Sequence, residues 1–404
     1  MAPAVFVALI IFSVVSCGDC RKPGGAISKE QEYHSELEKR LQTLNKPAVK
    51  TIIYKETGDV INCVRINEQS AFDHPALKNH KIQLHPTFSK LDDVSAASSR
   101  SNTSTKLLKL RGTREACPDG TVPIRRTTKE DLIRYDALSK EFLGSKAQGG
   151  PEKKANLRLD NKGKIYGSSV SVALYSLNIA DDQESSADVT VENGPVGQVD
   201  QLTIGWRVSK SLNGDKRTTL FGYWHGFVNN SGCYNTLCPG FVQVDQEILI
   251  NYAFTDPLSV YGSPSQQTTT PLTLEQAADS GNWWLIAGDD RIKIGYWPKE
   301  ILPNLADGAV AVTWGGTVSP GPNGDYPPMG NGHLPDGLYK DTCYFSRVKY
   351  ANFDRRYTDP VEADTTVHVG ASNICYDLKI VAPDEKLIVE SFAFMFGGPG
   401  GRCN

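Results

Sequence analysis

The chain of 404 residues has only 3 Met, and beyond its first residues it has no apolar run long enough to cross a bilayer. No membrane span is therefore expected in the mature protein. It contains neither a pair of CxxC units nor an HExxH, and its 7 His stand apart at positions 34, 74, 80, 85, 225, 333 and 368. That pattern argues against a metal site, and no cofactor is implied. His225, in Tyr223-Trp224-His225-Gly226-Phe227, has no Ser or Cys in an elbow motif, so a hydrolase triad is unsupported. No internal repeat is visible.

What is present points to a turn-rich β protein: 36 Gly, 23 Pro and 9% aromatic residues. The length exceeds one compact core, so two structural units and a linker are expected. The apolar run Ala4–Phe12, closed by small residues, is too short for a membrane helix and reads as the core of a signal peptide over 1–18. Nine Cys and the sequons at Asn102 and Asn229 agree with an oxidising secretory route and an extracellular or cell-wall destination. The net charge of −3 hides an asymmetry. Residues 21–150 hold 23 Lys+Arg against 16 Asp+Glu, a net of +7, and residues 151–404 hold 20 against 29, a net of −9. In a secreted precursor the partner of such a basic segment is the rest of the chain rather than nucleic acid.

A helix is expected over 28–44, with Leu37, Leu41 and Leu44 on one stripe and Pro47 beyond its end. A hairpin follows, Ile52–Tyr54 with Val60–Val64, then a Ser/Thr/Ala-rich loop over 92–106 and a second helix over 127–143. The breaker-rich stretch Gly144–Lys154 marks the boundary between a segment 19–145 and a body 146–404. Short alternating runs come after it: Ser168–Tyr175, Gln201–Val208, Leu220–Phe227, Phe241–Leu249, Trp283–Ala287, Lys293–Trp297, Val310–Trp314, Thr365–Val369, Leu378–Val381 and Ile388–Met395. They imply an all-β fold, an antiparallel β-sandwich preceded by a smaller α+β unit.

Ordered blocks of rare residues then carry a resemblance. In the first part they are Leu44–Ile52, Asp73–Gln83 and Cys117–Arg126; in the second, Gly205-Trp206, Tyr223-Trp224, Gly232–Gln243, Gly281–Trp284, Gly295–Pro298, Trp314–Gly316 and Met329–His333. Together they resemble the neprosin family, the first group its activation peptide and the second its catalytic domain. The resemblance implies a plant-type glutamic peptidase that cuts next to proline in acid, made with a pro-segment that is its first partner. It also implies three disulfides, Cys63–Cys117, Cys233–Cys238 and Cys375–Cys403, leaving Cys343 outside the family pattern. The family's catalytic glutamates stand in blocks that here read Leu202-Thr203-Ile204-Gly205-Trp206 and Trp314-Gly315-Gly316-Thr317, so both positions are Thr. A further family position, the glutamine of a Ser-Gln-Ile-Trp block, falls near Val189.

A pair of carboxylates in one cleft divides acid and base roles because their pKa values are driven apart. A Thr hydroxyl does not ionise in the working range, and an interior Thr lacks the α-amine that would activate it. Alternation puts Gln201, Thr203, Gly205 and Arg207 on one strand face and Ala309, Ala311, Thr313, Gly315 and Thr317 on another, a small-residue surface with room for a bound chain. Gln201, Trp206, Tyr223, Trp224, Trp297 and Trp314 are the candidate cleft residues, with core packing the competing role for the tryptophans. Asp200, Asp215, Asp245, Glu247 and Glu300 are the acids nearest the family blocks, better read as surface or turn residues. The expectation is a cleft that keeps peptide binding, with proline-rich extracellular polypeptides as ligands, and loses the peptidase. Two alternatives remain open: acid proteolysis by other carboxylates, and a non-enzymatic cell-wall or glycan-binding protein.

Overall fold

The computed structural model describes residues 29–88, 105–143, 150–255, 257–370, 372–381 and 391–403. The expected leader, most of the 92–106 loop with Asn102, and the start of the expected linker lie outside these residues.

The N-terminal segment comprises helix α1 (Lys29–Leu44), strands β1 (Ala48–Ile53), β2 (Val60–Arg65), β3 (Thr105–Leu107) and β4 (Thr121–Arg125), and helix α2 (Lys129–Leu143). Leu37 and Leu44 of α1 pack with Leu132 of α2 as the stripe pattern requires. The start of α2 is a reciprocal cap: Thr128 Oγ1 accepts from the Asp131 amide at 3.1 Å, and Asp131 Oδ2 from the Thr128 amide at 2.8 Å. β1, β2 and β4 form a small sheet.

The body begins with β5 (Lys153–Ile165), β6 (Gly167–Ala173), β7 (Glu184–Asn193), β8 (Asp200–Ser209), the one-turn helix α3 (Lys210–Asn213), β9 (Thr219–Gly226) and β10 (Ser231–Tyr234). It continues with β11 (Val242–Gln243), β12 (Gln267–Gln276), β13 (Trp283–Ala287), β14 (Ile292–Trp297), β15 (Ala309–Ser319) and β16 (Cys343–Ala351), and ends with β17 (Tyr357–Thr358), β18 (Thr365–Val369), β19 (Asp377–Val381) and β20 (Ala393–Gly397). One sheet has the order β10-β9-β8-β7-β15-β5-β18. The other runs β11-β14-β13-β12-β6-β16-β20-β19, with β17 beside β16 and β3 of the N-terminal segment added in parallel to β12. The protein is thus an all-β antiparallel sandwich with a smaller α+β segment ahead of it.

Between the sheets lie Leu202, Ile204, Val189, Val191, Val312, Leu272, Leu274, Phe345 and Phe394. Six tryptophans are buried, and Trp206, Trp224, Trp297 and Trp314 are 0%, 2%, 1% and 0% exposed. These four are core residues and do not line a groove, a correction to their expected role. A buried aromatic ring removes 150–250 Å² from water, about 4–6 kcal/mol at ~25 cal/mol per Å², far more than the ~1 kcal/mol net of one hydrogen bond. The core therefore wins the competition for them. Two of them still satisfy their indole N–H: Trp206 Nε1 donates to Ala173 O at 2.9 Å and Trp314 Nε1 to Ser168 Oγ at 2.7 Å, each bond crossing between the sheets. At Gly222 the second sheet packs directly on the backbone, since a Cβ there would lie 2.6 Å from the Trp297 ring.

The disulfides Cys63–Cys117, Cys233–Cys238 and Cys375–Cys403 are formed, and Cys343 is a buried free thiol. Closing the 28-residue loop of Cys375–Cys403 contributes about 3.5 kcal/mol through the unfolded chain.

The N-terminal segment docks on the body through charge and through buried polar groups. Arg111 reaches Asp245 at 2.5 Å and Asp290 at 3.5 Å, and Arg217 of the body reaches Asp59 at 3.2 Å. His80 Nε2 meets the Tyr296 hydroxyl at 2.9 Å, and its Nδ1 lies 3.4 Å from Glu300. Burial lowers the pKa of His74 and of His80, with Glu300 partly opposing it at His80. A depressed histidine stabilises docking fully above its ordinary pKa of about 6.5, and that contribution is lost as pH falls through the lowered value. At Asp59 burial raises the pKa, but Thr57, Arg217 and Arg125 outweigh it and hold the carboxyl low, so this group adds its loss only in stronger acid. Hydrogen exchange across residues 66–83, corrected for intrinsic rates, should accelerate several-fold between pH 7 and pH 4, and His80→Gln should move that loosening to lower pH. Equal protection at both pH values would refute the histidine account.

Candidate functional site

The seven-stranded sheet turns one face to the core and the other away from the second sheet. On β8, Leu202, Ile204, Trp206 and Val208 are fully buried between the sheets, which leaves Gln201, Thr203, Gly205 and Arg207 on the outer face. Register then assembles that face in rows across the strands. One row reads Tyr223, Thr203, Thr190, Thr313, Arg158; the next Phe221, Gly205, Asp188, Gly315, Asn156, His368; the next Thr219, Arg207, Ser186, Thr317, Lys154. Thr203 and Thr317 are therefore diagonal neighbours of Asp188, on opposite sides of β7. Such neighbours are about 7–8 Å apart between Cα atoms.

A cavity of about 440 Å³ opens on this face. Ionisable groups at its walls are Glu152, Lys154, Arg158, Asp188, Glu192 and His368; the others are Asn156, Thr190, Gln201, Thr313, Thr317 and Gly370. None is aliphatic, the one ring is the His368 imidazole, and none belongs to the described part of the N-terminal segment. The charges are largely paired: Arg158 holds Glu192 at 2.6 Å and Asp160 at 3.0 Å. Lys154 lies 3.9 Å from Glu152.

Gln201 and Thr317 line this cleft, as expected of them. Thr203 sits just beneath, 7% exposed, its hydroxyl 2.8 Å from Thr190 Oγ1 and accepting from Gln201 Nε2 at 3.1 Å. Tyr223 is in register with Thr203 but 8% exposed, with its ring centroid 4.6 Å from that of Tyr234. Beside it, Tyr135 of α2 donates to Gly232 O at 2.8 Å. Val189 points into the core at 1% exposure; the residue on the cleft face is its neighbour Asp188.

The other acids stand elsewhere. Asp200 is buried, accepting from the Phe227 amide at 2.8 Å and the Asn304 amide at 2.7 Å, a structural clamp. Asp215 pairs with Arg217, Asp245 and Glu247 with Arg111, and Glu300 with His80. His225 is in register with Gln201 at the margin of the face. Among the described residues no group of three or more His, Cys, Asp or Glu is placed to hold a metal ion.

Asp188 is the carboxyl at the centre. Its strand neighbours on this face are Gly205 and Gly315, so no side chain flanks it directly. A Cβ at Gly205 would lie 2.1 Å from Ala187 O and 2.7 Å from Asp188 Cα. Ser186 Oγ donates to Asp188 Oδ2 at 2.7 Å. Burial raises the carboxyl above its ordinary range, with Glu152 adding to the effect, while the Ser186 bond, Lys154 and Arg207 oppose it. Further along the face, Arg207 and Glu184 form a buried ion pair, with Ser209 hydrogen-bonded to Glu184 and Tyr234 accepting from Arg207 at 3.0 Å. Burial disfavours the Arg207 charge, and Glu184 together with Tyr234 more than restores it.

Sequence comparison matches residues 52–169 to the Neprosin activation peptide and residues 181–399 to Neprosin. Among solved structures, the chain is similar to scytalido-glutamic peptidase bound to a peptide-based transition state analog, at 9% identity and TM-score 0.32, over 61% of this chain and 97% of that one. A second structure of that peptidase, with a transition state analog inhibitor, gives 9% identity and TM-score 0.34 over 61% and 98%. SCP-B of the eqolisin family, in complex with the tripeptide Ala-Ile-His, gives 9% identity and TM-score 0.30 over 61% and 96%. No helix among the described residues is long and apolar enough to cross a membrane. The Neprosin match covers more than half of the chain, and with the activation-peptide match ahead of it, this chain belongs to the neprosin family.

Proposed function

We propose that this protein is a secreted, glycosylated neprosin whose cleft holds an extended polypeptide without hydrolysing it. The observation that carries this reading is Thr at positions 203 and 317, both on the outer face of one sheet beside a 440 Å³ cleft. The face is open, and the small residues at its centre, Thr190, Gly205, Thr313, Gly315 and Thr317, give a chain laid across the strands room to lie flat. A Thr at each family position supplies neither a general base nor a general acid. The polar walls also bear on the ligand. With no aliphatic wall and only the His368 imidazole as a ring there is no dry pocket for a prolyl ring, so recognition goes through the main chain, and proline-rich chains bind as extended polypeptides rather than for their rings. Pro-segment and body remain associated at neutral pH, and acid separates them.

The test is direct. The purified full chain is incubated at pH 4 with a labelled proline-rich peptide and with a proline-free peptide of equal length. Saturable binding of both, with no product above a buffer control, is the expected result. Cleavage at proline would overturn the reading.

A further inference from the structure

We propose that Asp188 is the anchoring group of the cleft, its carboxyl donating a hydrogen bond to a main-chain carbonyl of an extended peptide laid across the strands. The inference rests on the peptide-binding reading above and names the residue that does the binding.

Position comes first. Asp188 lies midway along the diagonal from Thr203 to Thr317, one strand and two residues from each. Gly205 and Gly315 in register on either side leave its carboxyl standing alone in a notch, so a peptide can approach it without displacing a neighbouring side chain. Gly205 cannot be enlarged without collision with the β7 backbone, which keeps the notch narrow and its floor fixed. One carboxyl oxygen is held by Ser186, and this bond orients the group.

Chemistry decides what the group does. An extended peptide presents carbonyl acceptors, and an ionised carboxylate, which only accepts, would repel them; a protonated carboxyl donates. The charged groups around it are Glu152 and Lys154 from the start of β5 and its approach, and Arg207 from β8, while β15 faces it with the neutral Thr313, Gly315 and Thr317; Arg158, Glu192 and His368 line the same cavity further along β5, β7 and β18. Burial outweighs the two cations, so the carboxyl keeps its proton to higher pH than an exposed aspartic acid. Binding is accordingly strongest in acid and fades as Asp188 ionises. No bond is made or broken in the bound chain.

The experiment follows an uncharged, end-blocked, fluorescein-labelled Gly/Ala/Ser peptide by anisotropy with the full chain between pH 3.5 and pH 7.5. Dye without peptide serves as the blank for the label's own titration. Wild type should bind at least tenfold more tightly at the acid end. Asp188→Asn, whose amide donates at every pH, should bind with a flat profile; Asp188→Ala should be at least tenfold weaker in acid. Glu152→Gln should keep a pH-dependent profile with its fall moved to lower pH, since a charge that raises the Asp188 carboxyl is gone. An Asp188→Asn profile that follows wild type, an Asp188→Ala affinity equal to wild type, or a flat profile for Glu152→Gln would overturn the assignment while leaving the peptide-binding reading intact. Absence of wild-type binding at any pH would instead overturn that reading, and the anchor with it. Circular dichroism of each variant separates loss of binding from loss of fold.

Discussion

Thr203→Glu combined with Thr317→Glu should turn the protein into an acid peptidase, raising hydrolysis of a proline-containing peptide by on the order of 10²–10⁴-fold over wild type. Each substitution alone should restore little, because an acid–base pair works as a unit and its effects are not additive. Thr317 lines the cleft and Thr203 lies just beneath it on the same face, and each lies a diagonal step of about 7–8 Å from Asp188, so a Glu side chain can reach toward the cleft floor from either side. At position 203 the new carboxylate takes the place of a hydroxyl already tied to Thr190 and Gln201. Two added carboxylates beside Asp188 repel one another at neutral pH and share protons in acid, so the gain should appear only at low pH. Peptide hydrolysis followed by mass spectrometry at pH 4 and pH 7 reads this directly. The idea is lost if wild type cleaves as fast as the double variant, or if Thr203→Ala with Thr317→Ala leaves a clear wild-type activity unchanged. If that activity also vanished in Asp188→Asn, the central carboxyl would have taken over the chemistry.

The largest effect on stability should come from Arg207→Met. Arg207 and Glu184 are 7% and 5% exposed, and removing one partner leaves the other as an uncompensated buried charge. Removing the guanidinium strands Glu184 with only Ser209 beside it. A loss of about 3–5 kcal/mol at pH 7 is expected by denaturant unfolding, and a smaller loss at pH 4, where an unpaired buried carboxyl takes up a proton. Arg207→Met with Glu184→Leu should recover most of it, since a packed apolar pair of similar volume is often neutral or better than a buried ion pair. A single-variant loss under about 1 kcal/mol would mean that water reaches the pair.

Much of this was legible in the chain. Helix α1 and the β1–β2 hairpin announce themselves by stripe and alternation, because local periodicity follows directly from which face meets the core. Of the six body strands missing from the sequence reading, β5, β7, β12 and β16 are interior members of the two sheets, and β10 and β17 are short. Their patterns are blurred for physical reasons. β7 reads Glu-Ser-Ser-Ala-Asp-Val-Thr-Val-Glu-Asn, with charged and small residues on the cleft side, and β12 carries Pro271, both poor strand signals. Phe241–Leu249 shows the opposite error: only Val242–Gln243 is strand. There the Gln243 side chain donates to the Asp245 and Ile248 carbonyls and accepts from the Ile250 amide, so side-chain bonds replace the ladder.

By itself the sequence determined the family, and through that resemblance the expected disulfide partners, since ordered blocks of rare residues carry the family. Tertiary structure alone decided that the tryptophans lie in the core rather than in the cleft, since burial of a large ring outweighs any surface role. It also decided that Asp188, unremarked between Ala187 and Val189, stands at the centre of the site. Strand register brings together Gly205, Asp188 and Gly315 from three strands, and the pairing of strands distant in the chain depends on which sheet closes over which core, a choice that no local pattern encodes.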